Sequence, residues 1–232
     1  MSRTLCKQCH RPEKACICAF TIEVDNPIKV IVLQHPKEVK QTKGTVSMLA
    51  KSLMDCEVIV GDYFSEEIGQ SEKQREAMVS LKLILQSHRC LLLYPTEKAL
   101  VIDSTFVENL AKTSDAKIDK LVEPKPLCLI ILDGTWKKAY KMFMLSPVLQ
   151  NLMQVTLPES VASSGKYHIR KVAKKNALSS LEACCFALML LESDGKTDAL
   201  NDINKSTQYQ QLLSKFDEFN RFQLGFVPEH LR

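Results

Sequence analysis

The fold is decided by one stretch of the sequence, Leu127-Cys128-Leu129-Ile130-Ile131-Leu132-Asp133-Gly134-Thr135-Trp136, which continues as Lys137-Lys138-Ala139-Tyr140-Lys141-Met142. Its six apolar residues predict a strand that is buried on both faces. Asp133-Gly134-Thr135 has the composition of a turn and a helix N-cap, so Asp133 lies where the strand ends and a helix begins. Ligands of open α/β sheets bind beyond the carboxyl ends of the strands, which makes Asp133 a candidate site residue. A capped helix beside a core tryptophan, Trp136, explains the same pattern equally well.

Length and composition place the chain among globular proteins. Its 232 residues are 45% hydrophobic and 25% charged, which suits one α/β domain with a small appendage. The net charge of +4 argues only weakly for a nucleic-acid partner, so local clusters of charge must carry that argument. The sequence shows neither a secretory signal nor an apolar run of membrane-spanning length, and we therefore expect a cytoplasmic protein without a membrane partner.

Apolar runs alternate with segments of helical periodicity along the rest of the chain. We predict strands at residues 28–33, 57–60, 91–94, 127–132 and 152–157, and helices at 44–54, 71–86, 135–145, 180–192 and 207–222. Residues 103–126 are expected to be a connector with a helical start, and residues 160–176 a basic irregular loop. This alternation predicts an α/β fold with a mainly parallel sheet and helices on both of its faces.

Three of the predicted strands end in polar or turn residues. These endings are His35-Pro36, Pro95-Thr96 and Asp133-Gly134-Thr135. Because right-handed crossovers between parallel strands bring equivalent strand ends to one edge, we expect the three endings to form a cleft.

Four of the nine cysteines lie close together at the N-terminus, at Cys6, Cys9, Cys16 and Cys18. Two close pairs around a turn that contains Pro12 let four thiolates converge on one tetrahedral ion, and thiolates favour zinc. His10 is an alternative fourth ligand, and reduced thiols in an unstructured terminus are the competing interpretation. Residues 1–22 are therefore predicted to form a structural zinc knuckle, with residues 23–232 as the main domain.

A basic loop follows the last predicted strand. Lys166–Lys175 holds five lysines and arginines together with Tyr167 and His168. Cationic side chains neutralise phosphates and aromatic rings stack on bases, so this composition suits loop or single-stranded RNA. A solvated basic loop is the plainer alternative. Lys137, Lys138 and Lys141 form a second basic group.

Several well-known motifs are missing from the sequence. It contains no Gly-x-Gly-x-x-Gly or Walker A loop, no Gly-x-Ser-x-Gly elbow and no His-Glu-x-x-His helix. These absences disfavour a Rossmann dinucleotide enzyme, a P-loop ATPase and an α/β-hydrolase. Ser179-Ser180-Leu181-Glu182 has the pattern of a capped helix start, which explains Glu182 without a catalytic role.

Taken in order, five motifs resemble those of the DTW-domain family, which is named for its Asp-x-Thr-Trp sequence. They are Cys6-x2-Cys9-x-Arg11-Pro12-x3-Cys16-x-Cys18, His35-Pro36-x-Glu38, Asp133-Gly134-Thr135-Trp136, Tyr167-x-Ile169-Arg170-Lys171 and Ser180-Leu181-Glu182-Ala183, with Ser180 where threonine is usual. The resemblance implies a tRNA-uridine aminocarboxypropyltransferase that uses S-adenosylmethionine. It also implies a SPOUT-like α/β core, which is knotted near the cofactor site in that group.

The resemblance implies roles for particular residues. Asp133 is the candidate base, or equally an orienting group for the cofactor amine, and Thr135 and Trp136 shape the pocket beside it. The implied cofactor-binding residues are Tyr94, Pro95, Thr96, Leu132, Gly134, Trp136, Ser180 and Glu182. The implied RNA-binding residues are His35, Glu38, Lys137, Tyr167, Arg170, Lys171 and Lys174.

Two other functions remain open on the sequence alone. One is an S-adenosylmethionine-dependent RNA methyltransferase of the SPOUT type, and the other is a non-catalytic, zinc-containing RNA-binding module. The two transfer reactions differ in their products. An aminocarboxypropyltransferase releases methylthioadenosine, whereas a methyltransferase releases S-adenosylhomocysteine.

Overall fold

The computed structural model describes residues 4–41, 45–66, 71–115, 124–162, 178–193 and 207–225. Six strands are present there: β1 Lys29–Gln34, β2 Cys56–Val60, β3 Arg89–Leu93, β4 Leu100–Val101, β5 Leu127–Asp133 and β6 Met153–Thr156. The α-helices are α1 Val46–Ser52, α2 Glu72–Ser87, α3 Ser104–Asp115, α4 Trp136–Met144, α5 Pro147–Gln150, α6 Glu159–Ala162, α7 Ser180–Leu191 and α8 Thr207–Leu224.

The strands form one parallel sheet in the order β2-β1-β5-β3-β6-β4. This confirms the α/β class and the parallel sheet predicted from the sequence. β5 lies between β1 and β3, so the three strands with polar endings are neighbours. Gln34 is aligned with Asp133 in the register of β1 and β5, and both residues are the last of their strands.

Helices cover both faces of the sheet because alternate strand residues point to opposite sides. On one face, Val30, Val32, Leu129 and Ile131 join a core that includes residues of α1, α7 and α8. The other face packs against α2, α4 and α5, with strand residues Ile31, Leu33, Leu92, Cys128 and Ile130. The fully buried central strands therefore read as continuous apolar runs, as expected for a parallel sheet.

The structure adds four elements to the sequence prediction, which included neither the short helices α5 and α6 nor the two elements described next. α3 covers Ser104–Asp115, where only a connector with a helical start was expected. β4 was not predicted, because its two residues are too few to show a period and both are exposed. The first residues of the predicted basic loop, 160–162, belong to α6, and its residues 163–176 lie outside the described part of the chain. The implied knot stays a prediction for the same reason.

The N-terminal segment packs on the main domain. Ile17 is 1% exposed and belongs to the core shared with α1, α7 and α8. The ring of Phe20 lies 5.6 Å from Phe219 and 5.3 Å from Phe222, both in α8. Arg11 Nη2 donates a hydrogen bond to Ser47 Oγ in the first turn of α1, at 3.0 Å. These contacts hold the cysteine cluster against α1 and α8.

Helices α7 and α8 are joined by a hydrogen bond at one end of α7. The Tyr209 hydroxyl donates to Glu192 Oε1, and Tyr209 is fully buried. Burial, and then the adjacent Glu192, raise the pKa of the Tyr209 phenol, so it remains a donor at neutral pH.

Among the described residues, no helix is long and apolar enough to cross a bilayer.

Replacing Tyr209 with Phe should lower stability without changing the fold. The change removes one hydrogen bond to a carboxylate that water can partly resolvate, so we expect a loss of about 1 kcal/mol. For a chain of this size that corresponds to a fall in Tm of roughly 2–4 °C, measurable by differential scanning calorimetry. Tyr63→Phe is the control, and an equal effect of both changes would contradict the assigned hydrogen bond.

Candidate active site and metal centre

Asp133 ends the central strand β5 and holds a fixed carboxylate at the carboxyl edge of the sheet. It is 9% exposed, and each of its oxygens accepts a hydrogen bond. Gln34 Nε2 donates to Oδ2 at 3.0 Å, and Ser180 Oγ donates to Oδ1 at 2.7 Å. The backbone oxygen of Asp133 accepts the His35 N–H at 3.0 Å. A carboxylate has about four acceptor positions, so two remain for an incoming donor.

Ser180 reaches Asp133 because of the way in which α7 begins. Ser179 is the N-cap, and its Oγ accepts the Glu182 N–H while Glu182 Oε2 accepts the Ser179 N–H. This capping box uses the Ser179 hydroxyl and leaves that of Ser180, the first helical residue, to bind Asp133. Glu182 is 3% exposed, and the sequence-based explanation of it as a helix cap is confirmed.

The turn from β5 into α4 brings a second polar pair to the same edge. Thr135 is the N-cap of α4, and its Oγ1 accepts the Lys138 N–H. Lys138 Nζ donates to Glu38 Oε1 at 2.6 Å, and Glu38 is only 5% exposed. Gly134 allows this close approach, because a Cβ there would lie 3.1 Å from Cβ of Lys138, which is tighter than ordinary contacts.

His35 lies between Asp133 and Glu38, since its backbone N–H donates to the Asp133 oxygen and its backbone oxygen accepts the Glu38 N–H. Its Nδ1 accepts the Lys37 N–H at 3.1 Å, which assigns the ring proton of a neutral imidazole to Nε2. Burial, and then the nearby Lys138, lower the pKa of His35, so the imidazole is neutral at physiological pH. A neutral ring with an Nε2–H group offers a hydrogen-bond donor without adding charge to the cleft.

The end of β3 lies beside the end of β5 at the same edge of the sheet. Tyr94 is 9% exposed, and its ring centroid lies 5.0 Å from that of Phe143 in α4. Burial, and then the Tyr140 phenol, raise the pKa of Tyr94. The Thr96 hydroxyl donates to Gln154 Oε1 at 3.0 Å, which ties this loop to β6. Pro95 is exposed and Leu132 is half-buried.

The structure brings most of the candidate residues to one edge of the sheet. His35, Glu38, Leu132, Asp133, Gly134, Thr135 and Ser180 lie around the ends of β1 and β5, with Tyr94, Pro95 and Thr96 at the end of β3. Trp136 is 53% exposed at the start of α4, and Lys137 is exposed next to it. The RNA-binding candidates Tyr167, Arg170, Lys171 and Lys174 lie outside the described residues.

Gln34 is a site residue that sequence reasoning missed. It appears in the sequence as one polar residue after an apolar run, which is equally typical of the first residue of a loop. Its contact with Asp133 depends on the register between two strands that are 99 residues apart in the chain. Its position at the end of the predicted first strand was the available signal.

The four N-terminal cysteines form a cluster of the size that a zinc ion requires. All four Sγ atoms lie within 4.8 Å of one another, with Cys6–Cys18 at 3.8 Å and Cys9–Cys16 at 3.7 Å. Tetrahedral zinc with Zn–S bonds of 2.3 Å gives S–S separations of about 3.8 Å. Backbone N–H groups of Cys9 and Gln8 lower the pKa of Cys6 to about 6, whereas burial and the neighbouring thiols raise the pKa of Cys18 to about 12. Binding of a metal by all four thiolates therefore releases protons.

His10 has a structural place in this cluster that differs from ligation. Its φ of 54° makes it the one non-glycine residue with positive φ in the described part of the chain. Its backbone N–H donates to the Cys6 oxygen at 2.9 Å and so closes the turn between the first two cysteines. The ligand atoms that converge are the four thiols and not the ring of the exposed His10, so the geometry favours four cysteine ligands.

Comparison with known proteins gives consistent matches. Residues 3–224 match the DTW domain family. The chain is 30% identical to tRNA-uridine aminocarboxypropyltransferase 2 of Macaca fascicularis over 83% of its length, and it spans 58% of that protein. It is 30% identical to the protein of the same name in Drosophila melanogaster, covering 82% of this chain and 68% of the relative.

A plant relative covers more of the chain at lower identity. The chain is 24% identical to tRNA-uridine aminocarboxypropyltransferase A of Arabidopsis thaliana, over 97% of its own length and 83% of the relative. No solved structure matches the chain.

The cysteine cluster should hold one zinc ion per chain. Removing zinc from four converging thiolates leaves the N-terminal turn without its cross-link, so a chelator should lower Tm. Metal content can be measured by plasma mass spectrometry and Tm by scanning calorimetry. Cys16→Ser should lose the zinc, whereas Cys56→Ser, outside the cluster, should retain it. Equal zinc content in both variants would refute the site.

Gln34→Glu should destabilise the protein in a pH-dependent way. A second carboxylate about 3 Å from Asp133 raises the pKa of the pair in the folded state. The penalty is therefore absent below the unfolded-state pKa of about 4 and grows as pH rises through the raised folded-state value. Tm measured from pH 4 to 8 should diverge from that of Gln34→Met as pH increases. Parallel profiles for the two variants would contradict the Gln34–Asp133 contact.

Proposed function

The chain belongs to the DTW-domain family, and on that premise we propose that it transfers the 3-amino-3-carboxypropyl group of S-adenosylmethionine to N3 of a uridine in tRNA. The names of its relatives support the reaction class. The observation that carries the proposal is the buried Asp133 carboxylate, fixed by Gln34 and Ser180 beside an exposed tryptophan at the carboxyl edge of a parallel sheet.

The residues at this edge fit a cationic donor molecule. S-adenosylmethionine supplies an activated alkyl group, because its sulfonium is a good leaving group. Asp133 offers acceptor positions for an ammonium group, and the exposed ring of Trp136 can stack on an adenine or a uracil. The loop at the end of β3 adds Tyr94, Pro95 and Thr96 to the cofactor-binding set. Its other members, Leu132, Gly134, Ser180 and Glu182, lie around Asp133.

The transfer is a displacement in which atoms and charges balance. A bond forms between uridine N3 and Cγ of the donor while the Cγ–S bond breaks, and its electron pair passes to sulfur to give methylthioadenosine. The N3 proton leaves to a base. No metal is required at this step, and the main task of the protein is to hold Cγ, rather than the methyl group, in line with N3.

Two roles for Asp133 are compatible with this displacement. As a base it accepts the N3 proton directly. As an orienting group it binds the donor ammonium and fixes the direction of the Cγ–S bond. Both of its oxygens already accept hydrogen bonds from neutral donors, and that fixed orientation favours the second role. Thr135 supports either role through the cap that starts α4 at Trp136.

The remaining assignments extend this proposal to the rest of the chain. Residues 1–22 form the zinc knuckle and residues 23–232 the catalytic domain. His35 and Lys137 contact the RNA at this edge, together with Tyr167, Arg170, Lys171 and Lys174 of the basic loop. The buried Glu38 acts on the RNA-binding surface through its ion pair with Lys138. Zinc is structural, and the knuckle positions the RNA. We place the reaction in the cytoplasm, where tRNA is available and cysteines remain reduced.

Incubation with S-adenosylmethionine and unmodified tRNA tests the function. Nucleoside mass spectrometry should detect an aminocarboxypropyl-uridine, and chromatography should detect an equal amount of methylthioadenosine. S-adenosylhomocysteine with a methylated nucleoside would instead identify a methyltransferase. RNA binding without either product would identify a non-catalytic module.

Asp133→Asn tests the residue that carries the proposal. We expect a fall in the transfer rate of at least about 10²-fold, because the change removes the negative charge that a base or an ammonium-binding group requires. Asp103→Asn is the matched control, since Asp103 is an exposed helix cap and asparagine caps equally well. Circular dichroism and Tm check that both variants fold, and unchanged transfer by Asp133→Asn would exclude Asp133 from the reaction.

A further inference from the structure

The outer surface of α4 carries a row of exposed apolar side chains, of which the proposed reaction uses only the first. Trp136, Tyr140 and Met144 are 53%, 58% and 48% exposed. They are spaced by four residues, so they lie in one row about 12 Å long on the helix surface. The opposite side of α4 is buried through Ala139 and Met142. We name Trp136, Tyr140 and Met144 the α4 row.

Two lysines form a second row beside it. Lys137 and Lys141 are exposed, and helical geometry places them next to the α4 row, away from the buried side. Within the part of the chain that the structure describes, neither lysine forms an ion pair, whereas Lys138 binds Glu38. The exposed half of α4 therefore combines aromatic faces with cations that can meet an anionic partner.

From this arrangement we infer that the α4 row stacks the unpaired bases of an RNA loop while Lys137 and Lys141 bind its phosphates. Aromatic rings beside a basic row are the two components by which proteins hold single strands. The bases of a duplex are already stacked on each other, so a stacking surface selects unpaired nucleotides. This inference rests on the proposed function and specifies that the enzyme binds an unpaired loop of the tRNA.

The α4 row is continuous with the candidate active site. Trp136 lies three residues after Asp133, and Tyr140 lies near enough to Tyr94 to raise its pKa. A nucleotide at Asp133 would thus have its neighbours in the strand over Trp136 and Tyr140. Stacking of the flanking bases would help to present the target base unpaired, as reaction at N3 requires.

A second copy of this chain is a poorer occupant of the same surface. A stable interface buries about 800 Å² per partner, more than three half-exposed side chains and their neighbours supply. In a two-fold contact centred on α4, Lys137 and Lys141 would also face the same lysines of the other copy. The phosphates of an RNA would instead neutralise the charges of these lysines.

Fluorescence of Trp136 gives a direct test, since it is the only tryptophan of the chain. Without S-adenosylmethionine, a uridine-containing single-stranded oligonucleotide and unmodified tRNA should quench it, and the same oligonucleotide annealed to its complement should bind more weakly. Tyr140→Ala should weaken binding of the single strand about 5- to 150-fold, the range for loss of one stacked base. Tyr140→Phe, which keeps the ring, and Leu83→Ala, an exposed apolar residue on α2, should bind like the parent chain.

The lysines are tested by salt dependence. For single strands the slope of log K against log salt is about −0.7 per phosphate contact, so the double variant Lys137→Ala, Lys141→Ala should reduce its magnitude by about 1.4. Lys112→Ala on α3 is the control. Full affinity of Tyr140→Ala, or equal binding of the duplex, would overturn the inference. So would an effect of Tyr140→Ala on sedimentation alone, which would indicate self-association.

The outcomes separate this inference from the proposed function. If the parent chain forms aminocarboxypropyl-uridine but Tyr140→Ala binds RNA normally, the enzyme is established and the α4 row is not its RNA-binding surface. If the parent chain forms no product yet Tyr140→Ala loses affinity, the surface binds RNA and the proposed reaction is wrong.

Discussion

The pair of hydrogen bonds from Gln34 and Ser180 to Asp133 is the constraint on which the site depends. A carboxylate that is 9% exposed must be satisfied by donors, and these two come from β1 and α7, which are distant in sequence. The parallel sheet supplies the first donor through register, since the last residues of β1 and β5 are aligned. The helix supplies the second through its cap. The carboxylate thereby joins three elements at the point where ligands of such sheets bind.

The core gives α7 little freedom to move that second donor. Ten of the twelve residues of α7 are buried, so the position of the helix is set by apolar packing against β5, α1 and α8. Its polar contacts lie at its two ends: Ser179 and Glu182 form the capping box at its start, and Glu192 accepts the Tyr209 hydroxyl just after its last residue. Apolar packing in the core therefore fixes the position of the Ser180 hydroxyl. Pre-organisation of this kind is what the proposed positioning mechanism requires, because displacement of an orienting group would misalign the two reacting atoms.

The sequence predicts those parts of the fold that rest on local patterns. Apolar runs and cap residues predict β5, the capped α4 and the capping box of α7. The spacing of the four N-terminal cysteines predicts their cluster. β4 was missed because two exposed residues carry no period, and α3 was predicted only as a helical start. Gln34 could not be recognised as a partner of Asp133, because strand order and register are long-range properties. The sequence also does not show which lysine pairs with Glu38. Three lysines lie close together in α4, and only the fold shows that Lys138, rather than Lys137 or Lys141, forms the ion pair.

The cleft combines a polar floor with exposed surroundings, and this division suits a large substrate. Asp133, Gln34 and Glu38 are buried and hydrogen-bonded, so they hold a fixed geometry, while Trp136 and Tyr140 project from α4 on one face of the sheet. On the other face, α1 begins just after the same edge, and Arg11 attaches the cysteine cluster to its first turn. The same segment also reaches the last turn of α1, where Lys51 Nζ donates to the Gln8 backbone oxygen at 3.1 Å, so the cluster and the α4 row lie on opposite faces of the sheet. An RNA that contacts both must straddle this edge, which an unpaired, flexible loop can do more readily than a rigid duplex.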